Sequence, residues 1–300
     1  MTQPDFGAIL DAHFPDASLA SSERLTGGVS ADVFRLDLNY PDGSVQPVVL
    51  RVHGQTHGGH NAELEFALLK SLHEMGLPVP QPLYLDASGA RIGNPYLVID
   101  FVNGESGVPQ GLGEHCVVPM ARMLARIHQQ PPSGTPELPV RTNPLPEVFD
   151  FLPEGEEWQT VEQTLRQQQD TEYQGKHCLL HGDFWPENIL WQGDEIAAVL
   201  DWEDAALGDP LSDLASARVE LRYLFGRDVM DRFSAAYALV SDIDPHRLAL
   251  WQIYVAAAAD RYMDDWGLPA DRVAHMHHEA RASIREAAAY LESPTSDRLP

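Results

Sequence analysis

The chain has 300 residues, of which 44% are hydrophobic and 22% are charged, a composition typical of a globular protein with one large or two modest domains. With 45 acidic and 20 basic residues, its formal net charge at pH 7 is −25, so its surface should repel phosphate backbones and anionic lipids. We therefore expect neither nucleic acid nor a membrane as a partner. Only Lys70 and Lys176 are lysines, which indicates either a compositional preference or a field that attracts cationic substrates.

Targeting and redox features predict a cytoplasmic protein. The first residues lack a basic start and a long apolar run, so we expect no signal peptide. No stretch approaches the roughly 20 apolar residues of a membrane span. Cys116 and Cys178 have no metal-binding spacing, which predicts buried or free thiols in a reducing compartment.

The first hundred residues carry mostly strand patterns. Apolar spacing predicts helices over 4–13 and 61–75, and β-branched, near-alternating sequence with glycine punctuation predicts strands between and after them. The predicted strands lie within 24–38, 47–54, 84–86 and 95–102. These patterns predict a small strand-rich N-terminal lobe over residues 1–102, followed by a linker at 103–107.

From residue 103 to residue 300 the sequence is mostly helical, apart from a Pro-rich loop up to about residue 147 and a short strand in 195–203. Helical spacing recurs in 115–130, 156–170, 212–225, 228–240, 245–266 and 270–291. The whole chain therefore predicts an α+β protein with a second, larger helical lobe over 103–300.

Two polar motifs interrupt apolar sequence in the second half of the chain. HGDFWPEN, at 181–188, lies between the apolar runs CLL and ILW, and VLDWEDAALGDP follows at 199–210. A tight apolar return between them would bring Asp183, Asn188 and Asp201 together at the mouth of a cleft. An amide and a carboxylate oxygen suit Mg²⁺, and a further carboxylate can accept a proton from a hydroxyl, which is enough for phosphoryl transfer. Singly, the same residues are typical of a core histidine, a helix cap or a turn.

Read together, the two motifs resemble those of the aminoglycoside phosphotransferase family, within the broader group that includes choline, fructosamine and homoserine kinases. Their order is that of the protein-kinase catalytic and metal loops, with Gly182 directly after the histidine. The resemblance covers about residues 22–266 and implies a protein-kinase-like two-lobe fold with a nucleotide-binding N-terminal lobe and a catalytic, substrate-binding C-terminal lobe. Glu187 stands where relatives often carry glycine, and it could be exposed or lie near the metal.

The resemblance implies a role for each polar residue of the motifs. Asp183 would be the catalytic base or would orient the acceptor hydroxyl, while Asn188 and Asp201 would hold Mg²⁺. His181 would brace the loop from within, and Asp213 would anchor the loop rather than touch the substrate.

A kinase-like N-terminal lobe needs a loop over the nucleotide phosphates and a cation that contacts them. Gly27, Gly28 and Ser30 follow the first strand pattern and would form this loop, although a Gly-Gly turn is also typical of a simple hairpin. Arg51 stands where a protein kinase has its third-strand lysine, and the alternative is an ordinary surface arginine. Its predicted partner is Glu65 in the first long helix, with Glu63 as the alternative.

The nucleotide base should bind at the end of the last predicted strand of the N-terminal lobe. Asp100, Phe101 and Val102 lie there, where backbone amides could bond the base between apolar groups. Side-chain identity does not separate ATP from GTP.

The acceptor should face Asp183 within the helical lobe. Acidic side chains that could receive an amine or a quaternary ammonium are Glu203, Asp204, Asp260, Asp264 and Asp265. Asp260 and Asp264 are four residues apart and share a helix face, although a chain this acidic would also produce a solvated acidic face. Aromatic residues nearby could form a cation cage or simply fill the core, namely Tyr254, Tyr262 and Trp266.

Three functions are compatible with these features. The first is an ATP-dependent or GTP-dependent, Mg²⁺-requiring kinase that phosphorylates a hydroxyl of a small molecule, such as a cationic or amino-containing metabolite or an antibiotic. The second is a kinase-like module that binds nucleotide without turnover. The third is a metal hydrolase that uses histidines, although neither 53–60 nor 275–278 has the spacing of a zinc site.

Overall fold

Alternating apolar residues near the N-terminus form an antiparallel sheet in the computed structural model, which describes residues 3–25, 31–54 and 59–293. The chain divides into two compact units. The first unit comprises residues up to Gly107, Ser133–Glu137 and Ile189–Asp204, and the second comprises Val108–Pro132, Leu138–Asn188 and the residues from Ala205 onward. The first unit thus includes two segments that lie within the predicted C-terminal lobe.

The main sheet of the first unit has five antiparallel strands in the order β1-β2-β3-β5-β4. Its elements are α1 (Phe6–His13), β1 (Ser18–Leu25), β2 (Ala31–Asn39), β3 (Val45–His53), α2 (Ala62–Glu74), β4 (Pro82–Asp86) and β5 (Tyr96–Asp100). Alternate residues of β2, namely Phe34, Leu36 and Leu38, are buried in a core cluster that also includes Phe6 and Ile9 of α1.

Helix α2 begins where the sequence predicts it, because Asn61 caps its first turn. The Asn61 side-chain oxygen accepts a hydrogen bond from the backbone N–H of Leu64 at 2.9 Å. Leu68, Leu69 and Leu72 are buried, so the apolar stripe of the helix faces the protein interior. The same face carries Glu65, which is also buried, and this brings a carboxylate into the interior of the unit.

A second, smaller sheet in the first unit joins β6 (Glu105–Ser106), β9 (Ile189–Gln192) and β10 (Glu195–Val199) in the order β10-β9-β6. Residues 103–107 were predicted to be a linker, but two of them pair with β9. Gly104 permits this pairing, because a Cβ there would lie 2.9 Å from the carbonyl oxygen of Trp191.

In the second unit, a small sheet is accompanied by several helices. Its elements are α3 (Val117–His128), β7 (Val140–Arg141), α4 (Leu145–Phe151), α5 (Gln159–Arg166), β8 (Cys178–Leu180), β11 (Ala206–Gly208), α6 (Pro210–Phe225), α7 (Arg227–Ala238), α8 (Pro245–Tyr262) and α9 (Ala270–Glu292). Strand β11 lies between β7 and β8, parallel to the first and antiparallel to the second. Across the ranges that the structure describes, no helix is long and apolar enough to cross a membrane.

The stretch predicted as a Pro-rich loop contains regular structure. Strand β7 pairs with β11, and α4 begins at Leu145 directly after Pro144. Proline is favoured at a helix start, since its fixed φ suits the first turn and its missing N–H has no partner there anyway. The prediction of a loop was therefore wrong for these residues, because we took the prolines as breakers only.

Replacing Gly208 by alanine tests the close approach of β7 and β11. A Cβ at this position would meet the carbonyl oxygen of Arg141 at 1.9 Å, so the strands would have to separate. We expect the free energy of unfolding to fall by at least about 2 kcal/mol, measured by urea denaturation. Gly193→Ala, in the open turn between β9 and β10 with φ of 66°, is the control and should cost only about 1 kcal/mol of backbone strain. Equal losses in the two variants would contradict this account.

Candidate active site

The loop that follows β8 is held by one buried carboxylate. The backbone N–H of His181 donates to Asp213 Oδ2 at 2.6 Å, and that of Gly182 donates to Asp213 Oδ1 at 2.9 Å. Gly182 has a φ of 90°, a conformation that residues with a side chain rarely adopt. The anchoring role predicted for Asp213 is confirmed by these two hydrogen bonds.

Asp213 has a further partner that the sequence did not reveal. His128, in the last turn of α3, places Nε2 3.2 Å from Asp213 Oδ2 and Nδ1 2.7 Å from the hydroxyl of Tyr237. Burial alone would raise the pKa of Asp213, but its hydrogen bond to His128 and the nearby imidazoles hold the pKa below its usual value. A lone histidine at the end of an amphipathic helix gives no sequence signal for this role.

Asp183 and Asn188 contact each other within the loop. The Asn188 amide donates to the backbone oxygen of Asp183 at 2.8 Å and to its carboxylate at 2.9 Å, and the Asp183 N–H donates to His181 Nδ1 at 3.2 Å. Because the amide nitrogen of Asn188 is used inside the loop, its Oδ1 is the atom left for a ligand. Glu187, whose position was open, is exposed.

A carboxyl group that we did not predict lies within electrostatic range of Asp183. Glu220, on α6, is partly buried, and burial is the main reason why its pKa is raised to about 8. The charges of Asp183 and Glu187 raise this pKa further, while that of Arg272 lowers it. Raised carboxyl pKa values are often found at functional sites. A glutamate in a helix pattern carries no sign of this environment in the sequence.

Within the first unit, Arg51 lies among three carboxylates. Its Nε is 3.1 Å from Glu65, and its Nη2 is 2.8 Å from both Asp201 and Glu203. Glu65 also lies 3.0 Å from His53. Burial works to lower the pKa of Arg51, but the surrounding carboxylates outweigh it and raise this pKa. The predicted pair of Arg51 and Glu65 is confirmed, whereas the alternative partner, Glu63, is exposed.

The segment after β10 turns sharply at Asp201, which has a φ of 59°. Such a left-handed conformation is uncommon for a residue other than glycine and is frequent at functional sites. Trp202 is buried and donates to the carbonyl of Val199 at 3.1 Å, and the carbonyl of Glu203 accepts from the N–H of His60 at 3.0 Å. These bonds fix the backbone on both sides of Asp201.

Other residues predicted for nucleotide binding have local partners or lie outside the described residues. Asp100 exchanges hydrogen bonds with the backbone of Gln81, and burial raises the pKa of its carboxyl. Phe101 lies under the guanidinium of Arg35 at 4.4 Å, and Val102 is partly buried in a segment without regular structure. The remaining predicted residues, Gly27, Gly28 and Ser30, lie outside the described ranges.

Three of the five acidic residues predicted for acceptor binding lie beside basic side chains, whereas Asp204 and Asp265 are exposed. Asp260 and Asp264 lie 2.7 Å and 3.2 Å from the two ring nitrogens of His277, and Asp260 also accepts from Arg281 at 3.0 Å. Burial opposes the charged imidazole, but the hydrogen bonds to both carboxylates raise the pKa of His277. Glu203, by contrast, contacts Arg51. Among the described residues, no group of three or more His, Cys, Asp or Glu side chains could hold a metal ion.

Comparison with known proteins identifies sequences that are similar to this chain. The sequence profile of the phosphotransferase enzyme family matches residues 21–251. Acyl-CoA dehydrogenase family member 11 of Rattus norvegicus is 26% identical over 243 residues, which cover 66% of this chain and 30% of that protein. This chain therefore corresponds to less than a third of that relative. Homoserine kinase of Janthinobacterium sp. (strain Marseille) is 26% identical over 227 residues, which cover 68% of this chain and 70% of that enzyme.

Solved structures with similar folds are phosphotransferases. A protein from Ralstonia eutropha JMP134 assigned to the aminoglycoside phosphotransferases superposes with a TM-score of 0.71 at 17% identity, over 97% of this chain and 99% of that one. A second structure is a thermostable mutant of an aminoglycoside phosphotransferase in ternary complex with AMP-PNP and hygromycin B. It superposes with a TM-score of 0.62 at 16% identity, over 93% of this chain and 98% of that one. These likenesses confirm the predicted α+β, protein-kinase-like fold.

Replacing Asp213 by asparagine tests the anchor of the loop. Asparagine keeps the shape of the side chain but replaces the carboxylate that contacts two backbone N–H groups and His128 by a neutral amide. We therefore expect the free energy of unfolding at pH 7 to fall by about 2–4 kcal/mol. Because the folded-state pKa of Asp213 is lowered, its contribution is complete above its ordinary pKa and is lost as the pH falls through the lowered value. The difference from wild type should therefore shrink on acidification.

Urea unfolding at neutral and acidic pH measures this difference, with Asp11→Asn, an exposed position on α1, as the control. A variant as stable as wild type, or a difference that widens in acid, would show that Asp213 does not anchor the loop as a carboxylate.

Proposed function

The chain belongs to the phosphotransferase enzyme family, and we propose that it is an ATP-dependent O-phosphotransferase that moves the γ-phosphate to a hydroxyl of a small molecule. The observation that carries this proposal is the anchored loop, in which Asp183 and Asn188 are hydrogen-bonded to each other. Phosphoryl transfer depends mainly on positioning and charge neutralisation, and a rigid loop with a carboxylate and an amide supplies both.

Asp183 is proposed to orient the acceptor hydroxyl and accept its proton. One of its carboxylate oxygens is held by the Asn188 amide at 2.9 Å, which fixes the direction in which the carboxylate points. A carboxylate held in this way is a modest base, so its main contribution should be the alignment of the hydroxyl with the phosphate.

Asn188 and Asp201 are proposed to hold Mg²⁺, and the chemistry of both side chains suits this ion. Asn188 has its Oδ1 left for a ligand, and Asp201 uses only its Oδ1 on Arg51. Both supply the hard oxygen atoms that Mg²⁺ prefers. When bound, the ion would neutralise charge on the phosphates.

Arg51 is proposed to contact the nucleotide phosphates. Its Nε and Nη2 face Glu65, Asp201 and Glu203, and within the part of the chain that the structure describes its hydrogen bonds to side chains come from Nη2, not from Nη1. Arginine can therefore be held by carboxylates and still present N–H groups to a phosphate, and its planar guanidinium spreads these contacts over three nitrogens. Since Glu203 contacts Arg51, we propose that it serves the nucleotide rather than the acceptor.

The remaining contacts of the nucleotide are proposed from the sequence. Gly27, Gly28 and Ser30 would cover the phosphates, and the backbone of Asp100, Phe101 and Val102 would bind the base. ATP is the proposed donor because a family relative has been solved with AMP-PNP, and GTP is the alternative.

The acceptor is proposed to carry an amine or another cationic group. Glu220 lies within electrostatic range of Asp183, and a cation beside it would return its raised pKa towards the ordinary value and favour the carboxylate. Asp260 and Asp264 are weaker candidates, because an acceptor amine would have to replace His277 there.

The first test is ADP release by the purified protein with Mg²⁺ and ATP over a panel of hydroxyl compounds, with Asp183→Asn as the blank. The panel comprises aminoglycosides, macrolides, choline, ethanolamine, homoserine, fructosamines and thioribose sugars, and a hydroxyacyl-CoA is added because relatives carry acyl-CoA in their name. We expect one class to give ADP release that Asp183→Asn abolishes. Binding of ATP without turnover of any compound would favour a nucleotide-binding module instead.

The two aspartates should fail in different ways. Asp183→Ala should lower turnover by about 10²–10⁴-fold with nucleotide affinity nearly unchanged, because its proposed partner in the reaction is the acceptor hydroxyl and not the nucleotide. Asp201→Ala should weaken the Mg²⁺-dependent part of nucleotide binding itself. Turnover and titration of a fluorescent ATP analogue with and without Mg²⁺ separate these effects, with the exposed Asp194→Ala as the control. Equal losses of both properties in both variants would contradict the assigned roles.

A further inference from the structure

Helices α6 to α9 of the second unit line a cavity of about 220 Å³. Three of the chain's few basic residues line it, namely Arg218, Arg222 and Arg227. In a protein with a net charge of −25, three arginines around one cavity indicate an unusual local potential. The cavity can attract an anion only if at least one of these three guanidinium groups is not fully neutralised by carboxylates of the protein.

Arg222 and Arg227 are balanced by carboxylates. Arg222 donates from Nε to Glu279 at 2.7 Å and from both Nη atoms to Glu286 at 2.8 and 3.1 Å. Arg227 is exposed at the rim and lies 3.3 Å from Glu286 and 3.6 Å from Asp231. Neither guanidinium therefore offers a strong attraction for a further anion.

Arg218 differs because its hydrogen bonds go to neutral groups. Its Nε donates to the side-chain oxygen of Gln252 at 2.9 Å, and its Nη1 donates to the hydroxyl of Ser234. The nearest carboxylate among the described residues belongs to Asp231, 3.8 Å from Nη2, which is beyond hydrogen-bonding distance. One proton of Nη1 and both protons of Nη2 thus have no acceptor within the described ranges.

The guanidinium of Arg218 is also largely shielded from water, with 13% of its side chain exposed. Burial, together with the like charges of Arg222 and Arg227, lowers the pKa of Arg218 to about 10 although Asp231 opposes this. The ion pair with Asp231 is long and Asp231 is itself exposed, so it neutralises this buried cation only in part, and a buried charge that is incompletely paired is costly.

The cavity lies on the side of α6 away from the proposed catalytic loop. With 100° per residue, Arg218 and Arg222 point roughly opposite to Asp213 and Glu220 on the helix. A ligand next to Arg218 would therefore occupy a place different from that of the acceptor at Asp183.

We propose that this cavity is a binding site for a small organic monocarboxylate, held through Arg218. The two free edges of Nη1 and Nη2 suit the two oxygens of a carboxylate. The remaining walls include Met230, Leu248 and Ala287, which suit a short hydrocarbon body. A volume of 220 Å³ corresponds to about seven water molecules and is too small for a nucleotide.

The proposal is tested on the full chain without nucleotide, so that its failure is distinct from failure of the proposed kinase activity. The probe is n-butyrate, compared at equal ionic strength with its uncharged isostere butyramide and with inorganic phosphate. Binding is measured by calorimetry and by the rise of the thermal midpoint with probe concentration. We expect butyrate to bind and to raise the midpoint, and butyramide to do neither.

Variants locate the site. Arg218→Gln should weaken butyrate binding by at least about tenfold, since it removes the guanidinium whose N–H groups are proposed to bind the carboxylate. Ala287→Leu should also weaken it by filling the cavity while every charge is kept, which covers the case that Arg218→Gln does not fold. Arg166→Gln, an exposed arginine paired with Glu162, is the matched control and should bind as wild type does.

Three results would overturn the proposal. The first is an unchanged midpoint and no heat of binding with butyrate. The second is binding that survives in both Arg218→Gln and Ala287→Leu. The third is an effect of inorganic phosphate equal to that of butyrate, which would show an unspecific anion site in place of a carboxylate site.

Discussion

The geometry of the candidate active site depends on one buried carboxylate, Asp213, which accepts hydrogen bonds from two consecutive backbone N–H groups of the loop after β8. Two adjacent N–H groups can point at one carboxylate only if the backbone between them turns, and Gly182 supplies that turn with its positive φ. The loop is therefore positioned by α6. This helix is itself fixed at its start, where buried Asp209 caps the first turn and accepts from Arg247 and Trp251 of α8. A carboxylate, a helix cap and an arginine thus form one continuous polar framework inside the second unit.

In the first unit, the candidate site depends in a comparable way on the charges around Arg51. Arg51 and His53 face the three carboxylates of Glu65, Asp201 and Glu203, and the acidic groups outnumber the guanidinium. Of these carboxylates Glu65 is buried and the other two are partly exposed, and such an excess of shielded negative charge is unfavourable unless a cation balances it. The excess lies at the turn where Asp201 adopts a left-handed conformation, and this supports our proposal that Asp201 holds Mg²⁺. Binding of Mg²⁺ would therefore account both for the left-handed conformation of Asp201 and for the excess of carboxylates around Arg51.

The sequence predicted those features that depend on local pattern. The strongly periodic helices were located within a few residues, and the register of α2 identified the pair of Arg51 and Glu65. Strand β1 was placed too late, because Ser18–Arg24 are exposed and carry no apolar alternation on this edge of the sheet. The contacts of Asp213 with His128, and of Asp260 with His277, join helices that only the tertiary fold brings together. Glu220 could not be singled out for the same reason, since its raised pKa arises from burial and from charges elsewhere in the chain.

The near absence of lysine agrees with the contacts that the buried basic side chains make. Arg51, Arg222 and Arg247 each bridge several acceptors at once, and a guanidinium suits this better than an ammonium because it has five donors in a fixed plane rather than three on one nitrogen. With more than twice as many acidic as basic residues, each buried arginine is expected to have carboxylates in contact. Arg218 departs from this rule, since its hydrogen bonds go to an amide and a hydroxyl while acidic residues are abundant in the chain. Its ion pair with Asp231 spans 3.8 Å without a hydrogen bond, and this incomplete neutralisation is the reason for our proposal that an anion from outside the chain binds there.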